Sequence, residues 1–184
     1  MTLSLCVLCY FCVAVADEQA AACTAGKEEV LLGPRNFTSS VIWFEKRIDL
    51  PLPRLVVKSV REPLTDEDIG DFLQTMSDVL DIGMPFTVLW DARDSLVTFN
   101  NPSWQQIMLG KAFADEHAAR IDSLVQAHAV ILRNMFVRAF LRLSLKLTAP
   151  PQPIHVGESE DEALTFARGQ RESRSWVKDT YAST

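Results

Sequence analysis

The chain has 184 residues, of which 48% are hydrophobic and 23% are charged, and its net charge is -6. This length is sufficient for one globular domain with a substantial core. The acidic balance argues against a nucleic-acid partner, because binding to phosphates requires a basic face. All four cysteines precede residue 24, so the rest of the chain has no thiol for a disulfide framework or a thiolate metal site.

The N-terminal segment is apolar and nearly uncharged up to Ala14-Val15-Ala16, after which two acidic residues follow. This pattern resembles the apolar region and small-residue cleavage site of a secretory signal peptide, although no Lys or Arg precedes it. The segment is too short to cross a bilayer as a helix. We interpret residues 1–16 as a candidate signal peptide. The protein enters the secretory pathway if this leader is real, and is cytoplasmic otherwise.

Residues 17–36 are rich in Ala, Glu and Gly and show little periodicity, which predicts a linker. The tripeptide Asn36-Phe37-Thr38 matches the acceptor pattern for N-glycosylation. Asn36 is therefore a glycosylation candidate, provided that the chain is secreted.

The predicted domain covers residues 37–168 and opens with two strands. Residues 41–44 and 55–60 are rich in β-branched and aromatic residues. Pro51 and Pro53 lie between them, and neither can donate to a strand ladder. We predict an opening β-hairpin.

A strongly marked helix follows. Thr65 is a suitable N-cap, and residues 66–68 place three acidic side chains on the positive end of the helix dipole. This dipole complementarity explains the acidic cluster without a metal ion, and we predict no metal site. Gly83 and Pro85 end the helix. Its predicted buried stripe contains Ile69, Phe72, Leu73, Met76, Val79 and Leu80.

The run Phe86–Trp90 ends at Asp91 and is typical of a central strand buried on both faces of a parallel sheet. Leu89 and Trp90 should then point to opposite faces. The carboxyl end of such a strand is where α/β proteins usually bind ligands. Asp91 and Arg93 are therefore candidate binding residues, the alternative being that they pair with each other.

Helices and short apolar strands alternate in the rest of the domain. The predicted elements are a helical region from Ser103 to about residue 127, with an interruption at Gly110, a strand at 128–133, a helix at 136–147, a strand at 154–157 and a helix opened by Ser159. This order predicts an α/β fold with a mixed, mostly parallel sheet and right-handed helical crossovers. Residues 169–184 are predicted to be a flexible tail.

The element order and the segments "PFTVLWDAR", "IDSLVQAHAVILRN" and "PPQPIHVGESEDEAL" resemble the STAS/SpoIIAA-like family over residues 55–167. The resemblance implies a mixed sheet covered by helices on one side, and a non-catalytic regulatory or protein-interaction module. In the anti-sigma-factor antagonists of this family, a serine in an Asp-Ser-Ser-Gly motif is phosphorylated. Asp94-Ser95 takes a similar place, but Leu96 and Val97 depart from the motif. Ser95 is thus a candidate binding residue without an implied phosphorylation switch.

A second resemblance is weaker. The segments "VILRNMFVRAFLRL" and "APPQPIHV" are similar to the CRAL-TRIO lipid-binding domain, whose helix covers a lipid cavity. This resemblance implies lipid binding or transfer as the alternative function. The helical bundle that usually precedes that domain is missing from the sequence.

Catalytic signatures are absent from the sequence: there is no Gly-rich phosphate loop, no Gly-x-Ser-x-Gly elbow and no His pair at metal spacing. His117, His128 and His155 are isolated positions, which is typical of surface or core histidines. We predict neither a cofactor nor an enzyme. An unrecognised enzyme with a site near Asp91 remains the third alternative.

The predicted helix at 136–147 carries a basic row, because Arg138, Arg142 and Lys146 recur every four residues. The row is either a solvated face or a binding surface for anionic lipid or an acidic protein partner. The apolar residues on another side of this helix are predicted to pack on the sheet: Phe136, Phe140, Leu143 and Leu147.

Overall fold

The computed structural model describes residues 28–37, 40–59, 65–93, 103–148, 150 and 152–169. In this part of the chain the strands are β1 (Glu28–Asn36), β2 (Ser40–Arg47), β3 (Arg54–Ser59), β4 (Phe86–Asp91), β5 (Val125–Ile131) and β6 (Ile154–Gly157). The helices are α1 (Asp66–Ile82), α2 (Trp104–Glu116), α3 (Ala118–Leu124), α4 (Met135–Thr148) and α5 (residues 160–169).

The six strands form one sheet in which spatial order follows chain order. β1, β2 and β3 pair antiparallel, whereas β3 through β6 pair parallel. The predicted α/β class and the mixed, mostly parallel sheet with an antiparallel opening are confirmed.

β1 occupies the last nine residues, Glu28–Asn36, of the segment 17–36 that the sequence predicted to be a linker. It pairs with β2 from Glu28 to Asn36, and its register shifts twice, between Val30 and Leu32 and between Leu32 and Arg35. Gly33 and Pro34 fall in the second irregularity, where a strand tolerates residues that weaken a regular ladder. Because Gly and Pro are uncommon in strands, these two residues are also the reason why the sequence did not predict a strand here. The linker prediction is wrong for Glu28–Asn36.

The caps of α1 form as predicted. The Thr65 hydroxyl accepts a hydrogen bond from the Asp68 backbone N–H at 3.1 Å, and the Asp68 carboxylate accepts one from the Thr65 backbone N–H at 2.9 Å. Gly83 ends the helix with φ 73°, a left-handed conformation that glycine adopts without strain. The predicted stripe is buried, with Leu73 partly so.

The helices cover the two faces of the sheet unequally. Side chains of Phe86, Val88 and Trp90 belong to a core to which each of α1 to α4 contributes buried residues, among them Phe72, Ala114, Ile121 and Leu141. Since the strands are added in one direction, right-handed crossovers place these helices on the same face.

The opposite face is covered by α5, which follows the last strand and is not a crossover. Leu89 lies there with Val56, Ala129, Ile131 and Ala163. The prediction that Leu89 and Trp90 point to opposite faces is confirmed. The presence of α5 on this face differs from the one-sided cover that the STAS resemblance implied.

The predicted interruption at Gly110 is wrong. Gly110 is buried within α2, and the helical axis breaks instead at His117, whose backbone N–H bonds to the Phe113 carbonyl at 3.0 Å. β5 then begins at Val125, three residues earlier than predicted.

The orientation of α4 also differs from the prediction. Leu141 and Leu145 are buried against the sheet and Val137 packs beside them. The residues predicted to pack there are exposed instead: Phe136 at 76%, Phe140 at 60%, Leu143 at 57% and Leu147 at 79%. Both sets have helical spacing, so periodicity alone does not decide which set is buried.

Candidate functional site

The predicted binding residues at the carboxyl end of β4, Asp91 and Arg93, pair with each other. The carboxylate of Asp91 accepts hydrogen bonds from the Arg93 side chain at 2.9 Å (Nε) and 2.6 Å (Nη2), and from its backbone N–H at 3.2 Å. Asp91 is 8% exposed. The alternative that these two residues pair with each other is therefore confirmed, and Ser95 lies outside the described residues.

Arg138 lies near the carboxyl ends of β5 and β6, where it holds two chain segments together. Its guanidinium donates to the carbonyls of Leu132 at 2.7 Å and Arg133 at 2.9 Å, and to the carboxylate of Glu158 at 2.7 Å. Its side chain is only 15% exposed. This member of the basic row therefore has a structural role, because it links the segments that follow β5 and β6.

Arg142 bonds to β6, one of the two edge strands of the described sheet. The backbone N–H groups of His128 in β5 and of Leu132 just after it donate to the carbonyls of Pro153 and Gly157, so the carbonyl of Val156 points away from β5. The Arg142 guanidinium donates to this carbonyl twice, at 3.0 and 2.5 Å. Occupying an outward acceptor protects an edge strand from pairing with another chain.

Lys146 is the third member of the basic row and differs from the two arginines. It is exposed, and it makes no ion pair within the part of the chain that the structure describes. The basic row thus consists of two arginines that fix α4 and one lysine that faces solvent.

Beside this row, α4 presents a second and unexpected feature. We use the name α4 ridge for four exposed apolar residues that lie along one side of the helix, Phe136, Phe140, Leu143 and Leu147; Met135 is also exposed but does not share their spacing. The helix begins at a cap in which the Asn134 side chain accepts from the Phe136 and Val137 backbone N–H groups at 2.9 and 3.3 Å. The sequence contained a signal for the ridge: α4 has more large apolar residues than one buried stripe requires.

On the opposite face of the sheet, a buried ion pair lies beneath α5. Arg54 is 6% exposed and donates through Nε to Glu45, which is 3% exposed. Glu45 also accepts from the Trp43 indole at 2.7 Å, and Arg54 donates to Glu160 of α5 at 2.8 Å. Sequence reasoning missed this cluster, because its members come from β2, β3 and α5 and share no local motif.

A small pocket opens next to this ion pair, between the sheet and α5. Its lining includes Arg54, Thr87, Leu89, Ala163 and Phe166. The space holds about one water molecule.

The three histidines occupy separate environments. His117 packs against Phe113, with ring centroids 4.4 Å apart, and His155 stacks on Phe166 at 5.1 Å. His128 is fully buried and accepts a long hydrogen bond of 3.5 Å from the Trp90 indole. Among the described residues, no three His, Cys, Asp or Glu side chains are placed to hold a metal ion.

Burial lowers the pKa of His128 from its ordinary 6.5 to about 4. The unfolded chain takes up a proton near pH 6.5, whereas the folded protein does not until the pH approaches 4. His128 should therefore lower the free energy of unfolding by about 3 kcal/mol as the pH falls from about 6.5 to about 4, and its contribution should be constant above that window. Urea unfolding at a series of pH values measures this loss.

The matched control is His128→Gln, whose side chain does not titrate. Hydrogen bonds from Arg47 lower the pKa of Asp49, and a hydrogen bond from Gln74 lowers that of Asp78, so both carboxyl groups titrate below 3.8 and outside the window. The variant should have a flatter stability profile between pH 6.5 and 4. Equal slopes in both proteins would show that His128 is not the group responsible.

Comparison with protein-family models, with curated proteins and with solved structures finds no match to this chain.

Asn36, the glycosylation candidate, is exposed at the end of β1. Within the described ranges, no helix has both the length and the apolar character needed to span a bilayer.

Proposed function

We propose that this chain is a non-catalytic module of the STAS-like type that binds a protein partner or an anionic lipid surface through the α4 ridge. The mixed sheet supports the class, since the STAS resemblance implied a mixed sheet covered by helices on one side and α1 to α4 share one face, although α5 on the other face departs from that pattern. The observation that carries the proposal is the ridge itself. Large exposed apolar patches on folded proteins commonly mark interaction sites.

The ridge is held in position by the fold. Leu141 and Leu145 are anchored in the core, and Arg138 and Arg142 bond to the ends and edge of the sheet on the other flank. The ridge residues therefore face solvent in a fixed arrangement, and a partner binds them without first ordering the helix. This preorganisation reduces the entropic cost of association.

The two alternatives have less support. Lipid transfer requires a cavity that encloses most of an acyl chain, and the pocket under α5 has room for about one water molecule. An enzyme with a site at Asp91 requires a carboxylate available to substrate, and Arg93 occupies both oxygens of that group.

A photo-crosslinking amino acid at position 136 tests the proposal in the cell that makes the protein. Phe136 is 76% exposed, and an aromatic crosslinker replaces it with little change in shape. The expected result is an adduct at this position that is lost when Leu143 and Leu147 are both replaced by Gln. The control places the crosslinker at Asp71, an exposed residue of α1. Equal adduct formation at positions 136 and 71 would contradict binding through the ridge.

A further inference from the structure

We infer that the partner of the α4 ridge is an anionic membrane surface, on which α4 lies lengthwise. This inference rests on the proposed function and specifies it. It follows from the charge of α4, from the shape of the ridge and from the kinds of residue that the ridge contains.

The charge of α4 contrasts with that of the whole protein. The helix has three basic residues and no acidic residue, whereas the chain has a net charge of -6. Glu158 neutralises Arg138, but Arg142 contacts a neutral carbonyl and Lys146 has no ion pair within the described part of the chain. Two positive charges thus remain beside the ridge, and an anionic lipid surface attracts such charges.

The shape of the ridge fits a plane. Its residues extend from Phe136 to Leu147, which corresponds to about 16 Å along the helix axis. The buried stripe of α4 packs against the core, and the ridge lies along another side of the same helical cylinder, whose outer surface is convex. Helices with one apolar side and flanking cations lie in the membrane interface with their apolar side about 5–10 Å deep.

The residue types favour a bilayer over a protein groove. The ridge contains only Phe and Leu, whereas hot spots of protein interfaces are enriched in Trp, Tyr and Arg and poor in Leu. A protein groove needs a pocket for each side chain, while a fluid bilayer adapts to any row of apolar groups. The cations and the apolar ridge together therefore match a membrane surface best.

Co-sedimentation with lipid vesicles tests this inference on the purified full-length chain. The vesicles contain phosphatidylcholine and phosphatidylserine in a two-to-one ratio, and pure phosphatidylcholine vesicles serve for comparison. The unmodified protein should bind the anionic vesicles more tightly. Binding should weaken between about 0.1 M and about 1 M salt, since the Debye length shortens from roughly 10 Å to roughly 3 Å.

Three sets of substitutions locate the contact. Replacing Phe136, Leu143 and Leu147 by Gln, a good helix former, should weaken vesicle binding at least about tenfold while the thermal melt stays similar. Lys146→Glu should weaken binding to the anionic vesicles and leave the thermal melting temperature unchanged. The matched control replaces three exposed apolar residues of α2 by Gln: Trp104, Met108 and Leu109. This control should bind as the unmodified protein does.

All variants retain the apolar N-terminal segment, so any binding through that segment is common to all of them. Unchanged binding by the ridge variant, equal loss in the α2 control or no binding of the unmodified protein would each overturn the membrane inference. A crosslink from position 136 to a protein would also overturn it, but would leave the proposed function intact. Absence of any specific crosslink together with absence of vesicle binding would remove both.

Discussion

Replacing Arg54 by Met should lower the free energy of unfolding by about 3–5 kcal/mol. Glu45 is 3% exposed, and the substitution leaves its carboxylate buried without the guanidinium that neutralises it. The hydrogen bond from the Trp43 indole remains, but it does not compensate the charge. Urea unfolding at neutral pH measures the loss.

A second variant distinguishes the stability cost of the unpaired buried charge from the cost of lost packing. Combining Arg54→Met with Glu45→Gln removes both charges and keeps an amide oxygen that accepts from Trp43. The double variant should regain most of the stability, because neutral residues of similar size often replace a buried ion pair at little cost. Stability no greater than that of Arg54→Met would contradict the assignment of the loss to an unpaired carboxylate.

Glu160 provides the matched control for the same cluster. Its carboxylate also accepts a hydrogen bond from Arg54, at 2.8 Å, but its side chain is 35% exposed. Glu160→Gln should cost less than about 1 kcal/mol, since solvent screens an exposed ion pair. A loss as large as that of Arg54→Met would mean that α5 docking, rather than burial of Glu45, determines the stability of this face.

Replacing Leu89 by Ala should cost about 2–5 kcal/mol, through lost transfer free energy and the cavity that remains. Leu89 is 6% exposed and packs between β3, β5 and α5, where it contacts a cluster that includes Val56, Ile131 and Ala163. It also lines the small pocket under α5, so the truncation enlarges an existing space. Denaturant unfolding measures the change.

Two further substitutions serve as controls for Leu89→Ala. Leu89→Met conserves volume and should cost less than about 1.5 kcal/mol. Leu147→Ala makes the same chemical change at a side chain that is 79% exposed, and should stay within about 0.5 kcal/mol. A loss below about 1 kcal/mol for Leu89→Ala would contradict the packing of α5 over the central strand.

Much of the fold was predictable, because several elements have local signals. The Thr65 cap, the buried stripe and Gly83 delimit α1 within a residue of its observed ends. The apolar run of β4 and the bounds of β6 also match the structure, as does the start of the helix at Ser103. The candidate site was predictable only in part. The pairing of Asp91 with Arg93 was one of two stated alternatives. The residues of the α4 ridge were predicted to pack on the sheet, whereas they are exposed.

The sequence by itself determined the α/β class, the central strand and the caps, since each depends on residues within a few positions of one another. The tertiary structure decided which apolar stripe of α4 is buried, where β1 pairs and how the second face is closed. These outcomes depend on partners that are distant in the chain. Arg142 reaches Val156 across 14 positions, and Arg54 reaches Glu160 across 106. Hydrophobic periodicity depends only on residues within one helix or strand, so it does not predict contacts between elements that are distant in the chain.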